Sequence, residues 1–152
     1  MTGYRAWLVA VSPDRTTLNS LTFTRHKWSP GVNQAEHLAW PPMPSEDHPA
    51  PLEKCSCGIW VLPSVNDVLE YLSTQALTWM HFVRSQMVQA ATIDYDPPVR
   101  HVIGSVQVWG RMIEHQTGLR CEYAQITALY NASDLAERYD VLNVSSLDDL
   151  KR

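Results

Sequence analysis

Six of the chain's ten prolines fall between Pro30 and Pro51. Proline fixes its own φ, lacks a backbone N–H and pushes its predecessor out of the helical region, so residues 24–57 exclude a helix interior or a central strand. Trp40-Pro41-Pro42-Met43-Pro44 should be extended and stiff. A loop this long leaves many N–H and C=O groups to be satisfied outside regular structure, and something must hold it. Its far end reads His48-Pro49-Ala50-Pro51-Leu52-Glu53-Lys54-Cys55-Ser56-Cys57-Gly58. Zinc takes four thiolate or imidazole ligands, and His37, His48, Cys55 and Cys57 would supply two of each. With every position filled there is no open site for catalysis, so the expected cofactor is a structural zinc. C-x-C bites more tightly than the C-x₂-C of zinc fingers. The other reading of the same residues is two reduced, buried thiols and two solvated imidazoles.

A length of 152 residues fits a single domain, 1–152, able to bury its own core. Three cysteines are an odd count, and Cys55 and Cys57 could bridge only through a small strained ring, so no disulfide framework is expected. The first apolar run, Ala6 to Val11, is six residues long. That is too short for a signal peptide core or a membrane span, and the expectation is a cytoplasmic chain without a membrane partner.

Periodicity and punctuation divide the chain. Tyr4 to Val11 alternates, Ser12-Pro13-Asp14 signals a turn and Thr17 to Phe23 resumes, giving a hairpin over 3–23. After the proline-rich loop, a short strand from Cys57 to Leu62 stops at Pro63. Ser64-Val65-Asn66-Asp67 then opens a helix with a capping-box pattern. Val65, Val68, Leu69, Leu72, Ala76, Met80, Val83, Met87 and Ala90 continue one apolar stripe, which predicts a long helix over 64–91. At 1.5 Å per residue it would span roughly 40 Å, more than a domain of this size is wide. Either it bends near Ser73-Thr74, or its far end, with Trp79 and Phe82 beside Met80, Val83 and Met87, pairs two chains as a homodimer. A second hairpin is expected over 99–130, with Gly104 and Gly110 as places for a bulge or close crossing. Gly118 should take the left-handed position of its turn. Ser133-Asp134 should cap a short helix over 133–140. The expected fold is α+β, a bent antiparallel sheet or small open barrel packed against one long helix, with the proline-rich loop pinned by zinc.

Three motifs form a recognisable set: Cys55-Ser56-Cys57-Gly58-Ile59-Trp60, the run from Gly104 to His115 (GSVQVWGRMIEH), and Gly118-Leu119-Arg120-Cys121-Glu122-Tyr123-Ala124. Together they resemble a family of small actinobacterial and actinobacteriophage proteins with the pattern C-x-C-G-I-[YW] followed by G-x-V-x-x-W-G-x-V-I-E-H-x-x-G-x-R-x-x-x-A. The resemblance covers about residues 3 to 142 and implies no established activity. It implies a loop cysteine near Ala35-Glu36-His37, so that the imidazole of His37 replaces a thiolate. It also implies that Cys121, where such proteins commonly have alanine, is a packed strand residue.

Three functional readings compete. The first is a non-enzymatic binding or regulatory accessory protein, phage-encoded, with a protein partner. The second is a nucleic-acid-binding β module. Residues 1 to 30 carry four Arg or Lys against one acid, and Arg25, His26, Lys27 and Trp28 interleave basic and aromatic side chains as a single-strand platform does. The net charge of −4, with eight acids against two bases in residues 31 to 99, weighs against it. An enzyme built on Glu114 and His115 comes third, because consecutive strand residues point to opposite faces and can hardly share a proton. Trp109, Arg111, Glu114, His115 and Arg120 remain surface candidates, with a cross-strand ion pair expected between Arg120 or Arg111 and Glu114 or Glu122.

Overall fold

β1 (Thr2–Ser12) and β2 (Arg15–Ser20) form the expected N-terminal hairpin, in register from Trp7↔Ser20 to Ser12↔Arg15. The computed structural model describes residues 1–12, 15–21, 27–37, 48–74 and 100–152. Short strands β3 (Val32–Gln34) and β4 (Ile59–Val61) follow, then helix α1 over 65–74. The second hairpin is β5 (His101–His115) and β6 (Gly118–Tyr130). Helix α2 (Ser133–Tyr139), strand β7 (Leu142–Val144) and a 3₁₀ turn (Asp149–Lys151) complete the described elements.

The seven strands make one sheet, β2-β1-β5-β6-β3, with β4 and β7 also paired to β6. β6 organises it. One edge is zipped to β5, and the other is shared by β4 at Leu119 to Cys121, β3 at Tyr123 to Gln125 and β7, in parallel, at Ala128 to Tyr130. Just past β4, Leu62 exchanges two 2.9 Å backbone hydrogen bonds with Tyr4 of β1, so the β4 edge meets the β1 edge.

Where the sheet is central, both faces are buried, which is why Val102 to Val106 of β5 is buried without alternation. One face joins Ala6, Ile103 and Ala128 to Val65 and Val68 of α1. The other joins Trp7, Val102 and Leu129 to Leu135, Ala136 and Tyr139 of α2. The Tyr139 hydroxyl donates to the Trp28 carbonyl and accepts from the Leu18 N–H, both at 2.9 Å and buried.

This architecture corrects the expected fold class. The sheet is mixed rather than antiparallel, half of the described residues are strand, and the helices among them are short. The stripe of apolar residues sets the buried face of α1. Ser64 does cap it, receiving the Asp67 N–H at 3.2 Å and donating to that carboxylate at 2.5 Å. The Ser73 and Thr74 hydroxyls both bond back to the Glu70 carbonyl. Residues 75–91 of the expected helix, and the dimer surface placed on them, lie outside the described residues. β3 and β7 arose in stretches read as loop and tail. A long strand such as β6 needs partners on both edges, and short segments without periodicity can supply them.

Smaller expectations also change. Register shifts fall at Ser105/Val106 and Trp109/Met112, beside the two β5 glycines. Gly118, in contrast, is absent from the positive-φ residues; it pairs with His115 across Gln116-Thr117, and a Cβ there would meet the Val61 carbonyl oxygen at 2.6 Å. Close approach of β4 is what requires it. The residue before α2 is Ala132, with no side-chain cap; its N–H goes instead to Asn143 Oδ1 at 2.9 Å. No helix among the described residues is long and apolar enough to cross a membrane.

The two bonds of Tyr139 supply a test of this core. Tyr139→Phe orphans a buried N–H and a buried C=O, and should lower unfolding free energy by about 2 kcal/mol in urea titrations with an unchanged m value. A midpoint equal to wild type would show that these bonds do not hold α2 to the sheet.

Candidate metal centre

The segment 48–58 makes little regular structure of its own, so its position is set at its flanks. β3 continues its pairing for one more bond, Ala35 N–H to the Glu122 carbonyl at 2.7 Å, which delivers His37 to the edge of β6. Ile59 pairs with Cys121, which delivers Cys57 to the same edge. Within the loop, the Cys55 N–H closes a turn on the Leu52 carbonyl at 3.1 Å. Gly58, at φ +120°, lets the chain turn there, and a Cβ would meet Pro51 at 2.9 Å and Arg120 at 3.1 Å.

The four residues named from sequence converge. One ligand atom from each of His37, His48, Cys55 and Cys57 lies within 4.8 Å of all the others, and all four residues are half-buried. Zinc–sulfur and zinc–nitrogen bonds of about 2.3 and 2.0–2.1 Å at a tetrahedral angle put the two donors about 3.5–3.6 Å apart. Cys55 Sγ and His37 Nδ1 are 3.5 Å apart. His48 Nδ1 donates to the Pro49 carbonyl at 3.2 Å, the outer-shell bond that leaves Nε2 with its lone pair free. The two imidazoles sit with centroids 4.0 Å apart, tilted by 55°. His37 Nε2 is buried with no hydrogen-bond partner.

The thiols differ. Desolvation alone would raise Cys55, but hydrogen bonds from the Cys57 backbone and thiol and from His48 outweigh it and lower its pKa. At Cys57 desolvation and the neighbouring Cys55 raise the pKa, against a backbone contact to Leu52 and the charge of Arg120. Of the two thiols, Cys55 is therefore the more readily deprotonated. Cys121 stands apart. It is fully buried, donates to the Ile59 carbonyl at 3.3 Å and is pushed up to about 12 by burial, despite the charge of Arg5.

Sequence reasoning missed the role of Arg120. It is 2% exposed, and its Nη1 donates to the carbonyls of Leu52 at 3.2 Å, Cys57 at 2.8 Å and, closest of all, Cys55. Nε donates to His115 Nε2 at 2.7 Å, and the guanidinium carbon lies 5.5 Å from the Trp60 ring centre. His115 stacks on Trp60 at 4.8 Å. Arg111 likewise reaches the loop, more loosely, at the carbonyls of Pro49 (3.4 Å) and Pro51 (3.5 Å). The expected ion pairs with Glu114 or Glu122 do not form among the described residues; Glu122 accepts the Arg111 backbone N–H at 3.1 Å instead. The available signal was a lone arginine at a position flanked by Leu119 and Cys121 in an apolar strand.

The remaining candidates are placed as follows. Glu114 and His115 are both exposed, opposite Leu119 and Gly118. Trp109 stacks on Tyr123 at 5.8 Å. Arg25 and His26 lie outside the described residues, and Lys27 is exposed. Trp28 is 3% exposed, edge-on to Trp7 at 5.2 Å, so its ring offers no face for a base. Compared with protein-family models, curated proteins and solved structures, the chain matches none.

Two outcomes follow from this geometry. In chelator-treated folded protein a thiol reagent should modify Cys55 and Cys57 at once and reach Cys121 only on unfolding; three equally fast thiols would contradict the burial of Cys121. Arg120→Met should cost about 2–4 kcal/mol of stability, and Arg111→Met under about 0.5 kcal/mol, because only the first strands buried carbonyls. Equal losses in denaturant titrations would remove Arg120 as the anchor.

Proposed function

We propose that this chain is a non-enzymatic binding or regulatory accessory module whose Cys₂His₂ centre holds one structural zinc. The observation that carries the reading is the convergence of four soft and borderline ligands within 4.8 Å at the end of a proline-rich loop. Two thiolates and two imidazoles complete a tetrahedron, so the ion staples the loop and has no position left for a substrate. Membership in the small actinobacterial and actinobacteriophage group belongs to the same proposal and rests on the motif residues alone. Its partner is taken to be a protein rather than nucleic acid, since Trp28 is committed to the core and the net charge is −4.

Protein purified without added metal should contain about one zinc per chain by elemental analysis. Cys55→Ser and Cys57→Ser should each lower the melting temperature far more than Cys121→Ser, and a strong chelator should bring wild type down to the level of the two ligand variants. Metal-free protein that melts like the zinc-loaded form would defeat the reading.

A further inference from the structure

Between the β1 edge, α1 and the metal loop lies a cavity of about 820 Å³ whose exposed lining is mainly apolar. That volume falls in the range of about 300–1,000 Å³ typical of small-molecule sites. Tyr4, Trp28, Leu62, Trp60 and Tyr71 line it, together with Arg5. Arg5 is the unusual member. Its Nη1 donates to the Trp60 carbonyl, Nη2 donates to Ser20 Oγ at 3.1 Å, and the guanidinium carbon sits 5.1 Å from the centre of the Trp28 ring. A guanidinium has five N–H donors. Only these two bonds are made, Nε is buried without a partner, and no carboxylate pairs with the group among the described residues.

Arg5 is half-buried with no anion paired to it among the described residues, and the loss of solvent around it pulls it down to about 10. The acids around the cavity do not offset it. Glu36 and Glu70 are exposed, and the Asp67 carboxylate accepts from the Ser64 hydroxyl that caps α1. The wall thus sets one guanidinium among aromatic side chains, with the exposed Glu36 and Glu70 and the capped Asp67 also on the lining.

We propose that this cavity binds a small organic anion, an aromatic or aliphatic body ending in a single carboxylate or sulfonate that meets the free N–H groups of Arg5. The aromatic walls take the body, and the guanidinium fork takes the head. The inference goes beyond the zinc staple and rests on the reading of the chain as a binding module.

The test uses the full zinc-loaded chain and two dyes of the same shape, anionic 8-anilino-1-naphthalenesulfonate and uncharged N-phenyl-1-naphthylamine, followed by energy transfer from tryptophan. The anionic dye should saturate one site per chain and bind about tenfold more tightly than the neutral one, the worth of a charge-assisted hydrogen bond. Arg5→Gln should erase that preference and leave the neutral dye's affinity unchanged. Should Arg5→Gln fail to fold, the comparison of the two dyes on wild type still decides. Equal affinities, several dyes per chain or no binding overturns the proposal. Protein found to lack zinc but still selecting the anion upholds the cavity and removes only the staple, whereas zinc-loaded protein that takes up neither dye removes the cavity and leaves the staple.

Discussion

The buried guanidinium of Arg120 joins the loop to the sheet more tightly than its neighbour Arg111 does. Burying a charge at 2% exposure is expensive, and no carboxylate among the described residues offsets it. Three carbonyl dipoles from Leu52, Cys55 and Cys57 take that role, with His115 Nε2 on the adjacent nitrogen and the Trp60 ring alongside. The same contacts satisfy carbonyls that a period-free loop could not pair by itself. Fixing those carbonyls fixes the chain direction at Cys55 and Cys57, and hence the aim of both thiols. A Cys₂His₂ zinc would be electrically neutral, so it would leave Arg120's arrangement with the carbonyl dipoles intact rather than compete for it.

Arg120 can do this because of its place on β6. It lies within the β4 pairing at Leu119 to Cys121, and the β3 pairing begins at Tyr123. β6 therefore acts as a ruler along which His37, arriving past β3, and Cys57, arriving before β4, are set down a short distance apart. Sequence separation between the two is large, but both are referenced to one rigid strand. The loop needs no regular structure for its ligands to meet.

How much of this could be read from the residues depends on where the information is stored. The two long hairpins were legible because alternation and turn residues are local, and the four-residue cluster was legible because thiol and imidazole chemistry has few other uses near so many prolines. β3 and β7 were not legible. A three-residue strand carries no period, and it exists only because β6 has an edge to fill. The helix divides in two: the stripe from Val65 to Leu72 reported the buried face of α1 correctly, while its expected run beyond Thr74 lies outside the described residues. Arg120 was noticed and given the wrong partners. Opposite charges on a hairpin suggest an ion pair, whereas the deciding fact is that the loop carbonyls lie closer than any carboxylate.

The loop centre and the cavity share a wall, which makes them physically linked. Ser56 and Gly58, on either side of Cys57, both line the cavity, and so does Trp60. Trp60 is held from two directions. Its carbonyl accepts from Arg5, while its ring lies against Arg120 and His115 and its indole N–H reaches the Ser56 carbonyl at 3.4 Å. Half-buried Arg5 and buried Arg120 thus both hold Trp60, the first at its carbonyl beside the cavity and the second at its ring beside the metal loop. A loop fixed by four ligands would hold Ser56 and Gly58 still and keep the cavity wall preformed, which would remove ordering entropy from any binding there. Releasing the ligands would loosen that wall first, because residues 52–58 make no strand pairing of their own. A metal bound there would stabilise the fold, and the fold would pass that rigidity to the cavity wall that carries Arg5.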